Sequence, residues 1–196
     1  MKDFYEPYVL KTRKPLKGVH PIFINRHSPR VFAKKKVTQK ELLICLEAAR
    51  WAPSNSNLQP WRCIVSRQGT PGFEKQYELL NEFNKKWTKN ASYLITLISY
   101  QKDAKGKKNR NATSDTGAAW ENFALQAADM DIVAHGMGGY SHARARKVLQ
   151  IPDDYRVEFM IAVGRRTPLS EVPQEYIKGE TPNTRRPLKE IVEFLD

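Results

Sequence analysis

The stretch Ala52-Pro53-Ser54-Asn55-Ser56-Asn57-Leu58-Gln59-Pro60-Trp61 constrains this chain more than any other. Two prolines bracket a run of hydroxyls and carboxamides. An apolar helical pattern leads in through Leu42, Leu43, Leu46 and Ala49. Pro53 disfavours helical geometry in the residue before it, so the helix has to stop there. A strand-like run over 63–66 leads out. The loop between can hold side-chain donors and acceptors in fixed directions. A flat heterocycle with a mixed polar edge needs partners of that kind.

Other local signals place elements around this loop. Thr38 with Glu41 three residues on forms a capping box, and Val37 with Leu42 can close a hydrophobic staple. Thr70-Pro71 opens a second helix, along which Phe73, Tyr77, Leu80 and Trp87 recur at helical spacing. The β-branched and aromatic run 93–100 reads as a central strand. Residues 101–113 form a basic loop, and 115–130 an alanine-rich helix suited to close packing or a subunit interface. Residues 135–140 read as a glycine-rich turn, followed by a helix from Ser141 through Leu149. Val157, Phe159, Ile161 and Val163 alternate as in a strand, and a last helix is expected over 188–195. The pattern predicts an α+β fold, a central, mostly antiparallel sheet flanked by helices. Residues 1–20 read as a basic arm and 21–196 as a single domain. No Gly-x-Gly-x-x-Gly links a strand to a helix, so a Rossmann site is not supported.

Composition removes several classes of function. No apolar run approaches a membrane span. Residues 1–18 lack the apolar core of a secretory signal, so a cytoplasmic location is expected. Cys45 and Cys63 read as buried thiols. The net charge of +12 favours anionic partners. Its excess sits in Lys11, Arg13, Lys14 and Lys17, in Lys34-Lys35-Lys36 and in 102–110, which read as solvated faces. These bases are dispersed and carry no nucleic-acid-binding motif. His20, His27, His135 and His142 show no metal-ligand spacing, and packing or surface roles are expected.

Four elements could build one site. In Arg26-His27-Ser28-Pro29-Arg30, two guanidiniums and a hydroxyl can hold a phosphate by charge-assisted bonds. The 53–61 loop is the second. The glycines at 136, 138 and 139 let backbone N–H groups approach a ligand. Arg185-Arg186-Pro187-Leu188 is the fourth.

In this order the set resembles the FMN-dependent nitroreductase family. Further matches are Glu47-Ala48-Ala49-Arg50-Trp51-Ala52-Pro53-Ser54, Asn57-x-Gln59-Pro60-Trp61, Met137-Gly138-Gly139-Tyr140 and Ile161-Ala162-Val163-Gly164. The resemblance implies the nitroreductase-like fold and an intertwined homodimer, with two FMN sites built from both subunits. By position, Arg26, Ser28 and Arg185 would hold the phosphate and ribityl end, and Arg30 and Asn57 would face the pyrimidine edge. Pro53, Ser54 and Asn55 would come from the other subunit, and a backbone N–H of Gly138 or Gly139 would point at the flavin N5. His27, Gln59 and Met137 lie inside the matched motifs and are carried over as cofactor-binding positions. The implied reaction passes hydride from NADH or NADPH through FMN to a nitroaromatic or quinone, with no catalytic side chain required. Flavin breakdown, dehalogenation and flavin binding without turnover are alternatives on the same fold, and a basic nucleic-acid-binding module is the rival of another class. The chain departs from the family at Asn183, where members often carry Lys, and at Gly136, where a bulkier residue is frequent.

Overall fold

The computed structural model describes residues 3–195. In chain order the elements are α1 (Pro21–Asn25), α2 (Gln39–Arg50), β1 (Trp61–Arg67), α3 (Pro71–Tyr77), α4 (Glu82–Thr88), β2 (Tyr93–Tyr100), α5 (Ala112–Asp129), β3 (Ile132–Met137), α6 (His142–Val148), β4 (Tyr155–Arg165) and α7 (Ile177–Glu180). The four strands form one antiparallel sheet in the order β1-β2-β4-β3. This is the expected α+β class, with β2 central.

Period two explains why β2 is buried on both faces. Tyr93, Ile95 and Leu97 face α2 and α5, where Leu42, Cys45, Ala119, Phe123 and Ala127 pack. Leu94 and Ile98 face the other way, onto Phe73, Leu79, Leu80 and Ala145. Leu97 pairs with Phe159 and Ile98 with Val157, so Glu158 is an extra residue in β4. That bulge flips the strand's parity. Val157 therefore packs on the opposite face from Phe159, which simple alternation did not foresee.

The local signals act as their chemistry demands. Thr38 and Glu41 close the capping box of α2, and Thr70 caps α3 with Pro71 in its first turn. The small side chains of Ala119, Ala124 and Ala127 on α5 are buried in the layer that also holds α2.

Five expectations change. The single helix expected after Thr70 is two, because Asn81 breaks it and caps α4 with its side chain. His135 and Gly136 lie in strand β3, not in a turn, because the ladder to β4 extends through Met137. Leu43 on α2 is 55% exposed and does not join the buried face. Cys63 is exposed, whereas Cys45 is buried as expected. The last helix is only a turn of 3-10 helix, Leu188–Glu190. Ile191, Phe194 and Leu195 beyond it are exposed. A short apolar helix needs a surface to pack on, and this chain offers that segment none.

Residues 3–20 lie packed against the rest. Val9 is fully buried, Tyr5 Oη donates to Val19 O, and Glu6 receives two bonds from Arg166 at 2.9 and 3.1 Å. No helix among the described residues is long and apolar enough to cross a membrane.

Candidate functional site

Segment 26–32 leaves α1 in extended geometry and is held at three points. The buried Glu180 carboxylate, at the end of α7, accepts from the backbone N–H of Arg30 at 2.8 Å and of Val31 at 3.2 Å. The Phe32 ring lies on Gly164, where a Cβ would come within 2.5 Å of it. Phe32 also bridges to Arg166. These anchors set Arg26, His27, Ser28 and Arg30 along one wall of a cleft of about 440 Å³. Asn183 and Arg185 supply the facing wall, and Arg13 and His135 complete it.

The cleft is strongly cationic. Its four guanidiniums are Arg13, Arg26, Arg30 and Arg185. Arg26 meets the Glu121 carboxylate only at 3.8 Å. The Glu180 oxygens are engaged by backbone N–H groups. Arg30 lies over the Phe83 ring at 5.4 Å, and its Nε is buried without an acceptor. Arg185 donates to Asn183 Oδ1 at 3.1 Å and Thr184 O at 2.9 Å. Burial holds His27 and His135 below the usual histidine range, and Arg13 at the first and Arg30 at the second push the same way. His135 Nδ1 lies 3.0 Å from Pro29 O, and its ring packs on Trp87 at 4.6 Å.

Helix α4 touches both this cleft and the glycines after β3. Phe83 sits under Arg30, Trp87 on His135, and Asn84 Nδ2 donates to Gly139 O at 3.1 Å. A Cβ at Gly139 would come 2.4 Å from the Asn81 carboxamide, which is fixed as the α4 cap, so only glycine fits. Gly138 faces open space, and Met137 is buried.

Loop 53–59 is built differently. Ser54 Oγ accepts from Gln59 N at 3.0 Å, Gln59 Nε2 donates to Asn57 Oδ1 at 3.0 Å, and Asn55 N donates to Asp115 at 3.1 Å. Ser56, Asn57 and Gln59 all have left-handed backbones, with φ of 50, 54 and 46°. Pro53, Asn55 and Asn57 point outward, exposed. None of this loop lines the arginine cleft. Of the residues singled out in the sequence, the chain thus gathers Arg26, His27, Ser28, Arg30 and Arg185. Met137, Gly138 and Gly139 are outside the lining of that cleft, with Gly139 against the first turn of α4 beside Phe83, and Asn57 is not in that lining either.

A model of the nitroreductase family matches residues 24–165. The chain belongs to the nitroreductase family. The crystal structure of an oxidoreductase containing FMN is 38% identical to this nitroreductase-family chain, over 92% of it and 93% of its own length, with a TM-score of 0.85. A nitroreductase family protein from Clostridium difficile 630 shares the fold at 24% identity, over 88% of this chain and 95% of its own, with a TM-score of 0.68. The major NAD(P)H-flavin oxidoreductase of Aliivibrio fischeri is 32% identical over 93 residues, 43% of each chain.

Sequence reasoning missed three residues in and beside this cleft. Arg13 reads as a solvated base and His135 as a packing histidine, and Asn84 falls inside the single helix expected after Thr70. The signal available there is Asn81, a favoured cap residue. Among the described residues no group of His, Cys, Asp and Glu is placed to hold a metal ion.

Proposed function

We propose that this protein is an FMN-dependent oxidoreductase that takes hydride from NADH or NADPH and passes it to a nitroaromatic or quinone-type acceptor. The observation that carries this reading is the arginine cleft. Its guanidiniums outnumber the carboxylates available to them, and the buried Nε of Arg30 has no acceptor. A phosphate ester with several acceptor oxygens fits that donor set, because each charge-assisted bond is worth about 1.5–3 kcal/mol.

In this reading Arg26, Ser28 and Arg185 hold the phosphate end of FMN. Arg30 faces the pyrimidine edge and puts a fixed positive charge where negative charge gathers on reduction, which raises the reduction potential. The backbone N–H of Gly138 or Gly139 would serve the N5 side of the ring. FMN, when bound, would supply the hydride-transfer chemistry, and nicotinamide and acceptor would use the site in turn, as a ping-pong cycle requires. The chain's own groups bind, orient and exclude water, and no side chain is assigned an acid or base step.

A second copy completes the site. Loop 53–59 lines no part of the cleft of its own chain, so we assign all of it, Asn57 and Gln59 included, to the cleft of the partner. The exposed Leu43 and Ile44 on α2 and Trp51 at its C-cap give a homodimer an apolar surface to cover. Both cysteines are free, as a reducing cytoplasm would leave them.

The test is an absorbance spectrum of the purified protein with a nicotinamide titration. A yellow dimer that oxidises NADH or NADPH when given a nitroaromatic supports the reading. A colourless protein that takes up no added FMN overturns it.

A further inference from the structure

The N-terminal segment has no part in the function proposed so far, yet it sends one side chain into the cleft. Arg13 is 7% exposed, unlike the other bases around it. Its Nε donates to Asn183 O at 2.9 Å, and its Nη1 donates to Arg26 O at 2.8 Å and to Ile24 O. Next to it, Thr12 Oγ1 donates to Pro182 O at 2.7 Å. One guanidinium thus ties the backbone on either side of the cleft, at the residue that carries the Arg26 side chain and two residues before Arg185.

A purely structural staple would be complete with those carbonyls. Two features of Arg13 go further. Among the described residues no carboxylate pairs with it, and its Nη2 has no acceptor although Arg13 lines the cleft. Burial first, then the like charges of Arg185 and Arg26, lower its pKa to about 10. A buried guanidinium beside two others, with no counter-charge, is costly until an anion arrives.

Resting on the FMN reading above, we propose that Arg13 is the positioning residue of the phosphate end, locking Arg26 and Asn183 across the cleft and making the site select a phosphorylated flavin over its dephosphorylated form. Riboflavin has the same ring and polyol as FMN but lacks the phosphate, so it isolates this role. The N-terminal segment is then a working wall of the site.

The experiment compares FMN and riboflavin dissociation constants, by flavin fluorescence, for the full-length protein and for Arg13→Gln. The preference for FMN over riboflavin should fall by about 10- to 100-fold in Arg13→Gln, the value of one charge-assisted contact. Riboflavin affinity should stay within about threefold of the parent. FMN and riboflavin weakening together would show a structural role alone and overturn the proposal, as would an unchanged preference. If Arg13→Gln does not fold, Arg13→Lys carries the test. Lysine cannot bridge the Arg26 and Asn183 carbonyls at once, so the preference should still fall at least about threefold; an unchanged preference in Arg13→Lys overturns the proposal. A parent protein that binds neither flavin refutes the FMN reading itself, and a parent that binds both without an Arg13 effect refutes only this inference.

Discussion

At the arginine cleft the backbones of Arg26 and Arg30 are held by distant parts of the same chain, and Arg185 by a near neighbour. Glu180 fixes the backbone of Arg30, Asn183 holds Arg185, and Arg13 ties Arg26 to Asn183. At loop 53–59 the polar groups mostly satisfy one another, and the loop leans on the rest of the fold chiefly through Asn55 and Asp115. Three left-handed residues in four positions nevertheless give that loop a definite shape. Such geometry costs about 1–3 kcal/mol per residue and persists where function demands it. In the function proposed above, the cleft is one half of a site and the loop, which does not line it, is the half offered to a partner. On that reading, specificity for a ligand is divided between a recess that one chain completes and an edge that one chain only presents.

The largest effect should come from the finished half. Arg26→Ala removes the guanidinium whose backbone Arg13 holds, and FMN affinity should fall about 100-fold, measured by flavin fluorescence. An affinity within a few-fold of the parent would break the assignment of the cleft. A sharper test sets the halves against each other. Copies carrying Arg26→Ala, mixed with copies carrying Asn57→Ala, should form heterodimers with one intact site and one doubly damaged site. Flavin content in the heterodimer should then return to about half that of the parent, where either variant alone binds poorly. If loop and cleft of one chain served the same site, both sites would stay damaged and no flavin would return.

The shape of the loop gives a smaller effect. Ser56 sits at φ 50°, where a β-branched residue is strongly disfavoured. Ser56→Val should lower stability by about 1–2 kcal/mol in denaturant unfolding. Ser56→Gly should be neutral or stabilising. Equal stability of the two variants would mean that the left-handed loop is not held in the folded protein.

The same contrast governs what could be read in the sequence. Features decided by near neighbours were legible: the Thr38–Glu41 cap, Pro71 at a helix start, the doubly buried strand over 93–100, and the alanine face of α5. That Arg26, Ser28, Arg30 and Arg185 could share one cleft was legible because their residue types suit an anion. Arg13 was not, because in sequence it is one more base in the run with Lys11 and Lys14. Only its burial against 24–26 and 182–183 sets it apart. β3 was hidden by His135 and Gly136, which look like a turn until the ladder to β4 is in place. The split between α3 and α4 turned on whether Asn81 caps or continues, a choice settled by its contact with Gly139. The expected helix at 188–195 followed its apolar spacing, but spacing supplies no surface to bury it on.

The smallest effect is a control that should touch neither half. Glu41 accepts from Thr38 at the start of α2 and pairs with Arg165 at the end of β4. The Thr38 N–H first, then the Arg165 guanidinium, holds its carboxyl at about 2, against an ordinary 4.5. A carboxylate depressed in the folded state stabilises the fold above its unfolded pKa and loses that contribution as pH falls through the folded value. Glu41→Gln keeps a capping-box side chain but loses the charge paired with Arg165, and should therefore cost about 1 kcal/mol at neutral pH. The gap between parent and variant should close between about pH 4.5 and pH 2. FMN affinity should be unchanged, since Glu41 touches neither the cleft nor the loop. A stability gap that persists undiminished at pH 2.5 would show that the Glu41 carboxylate is not held in its charged form by these partners. A loss of FMN affinity in this variant would show that the two halves are not independent of the packing of α2, and the division between recess and edge would then have to be redrawn.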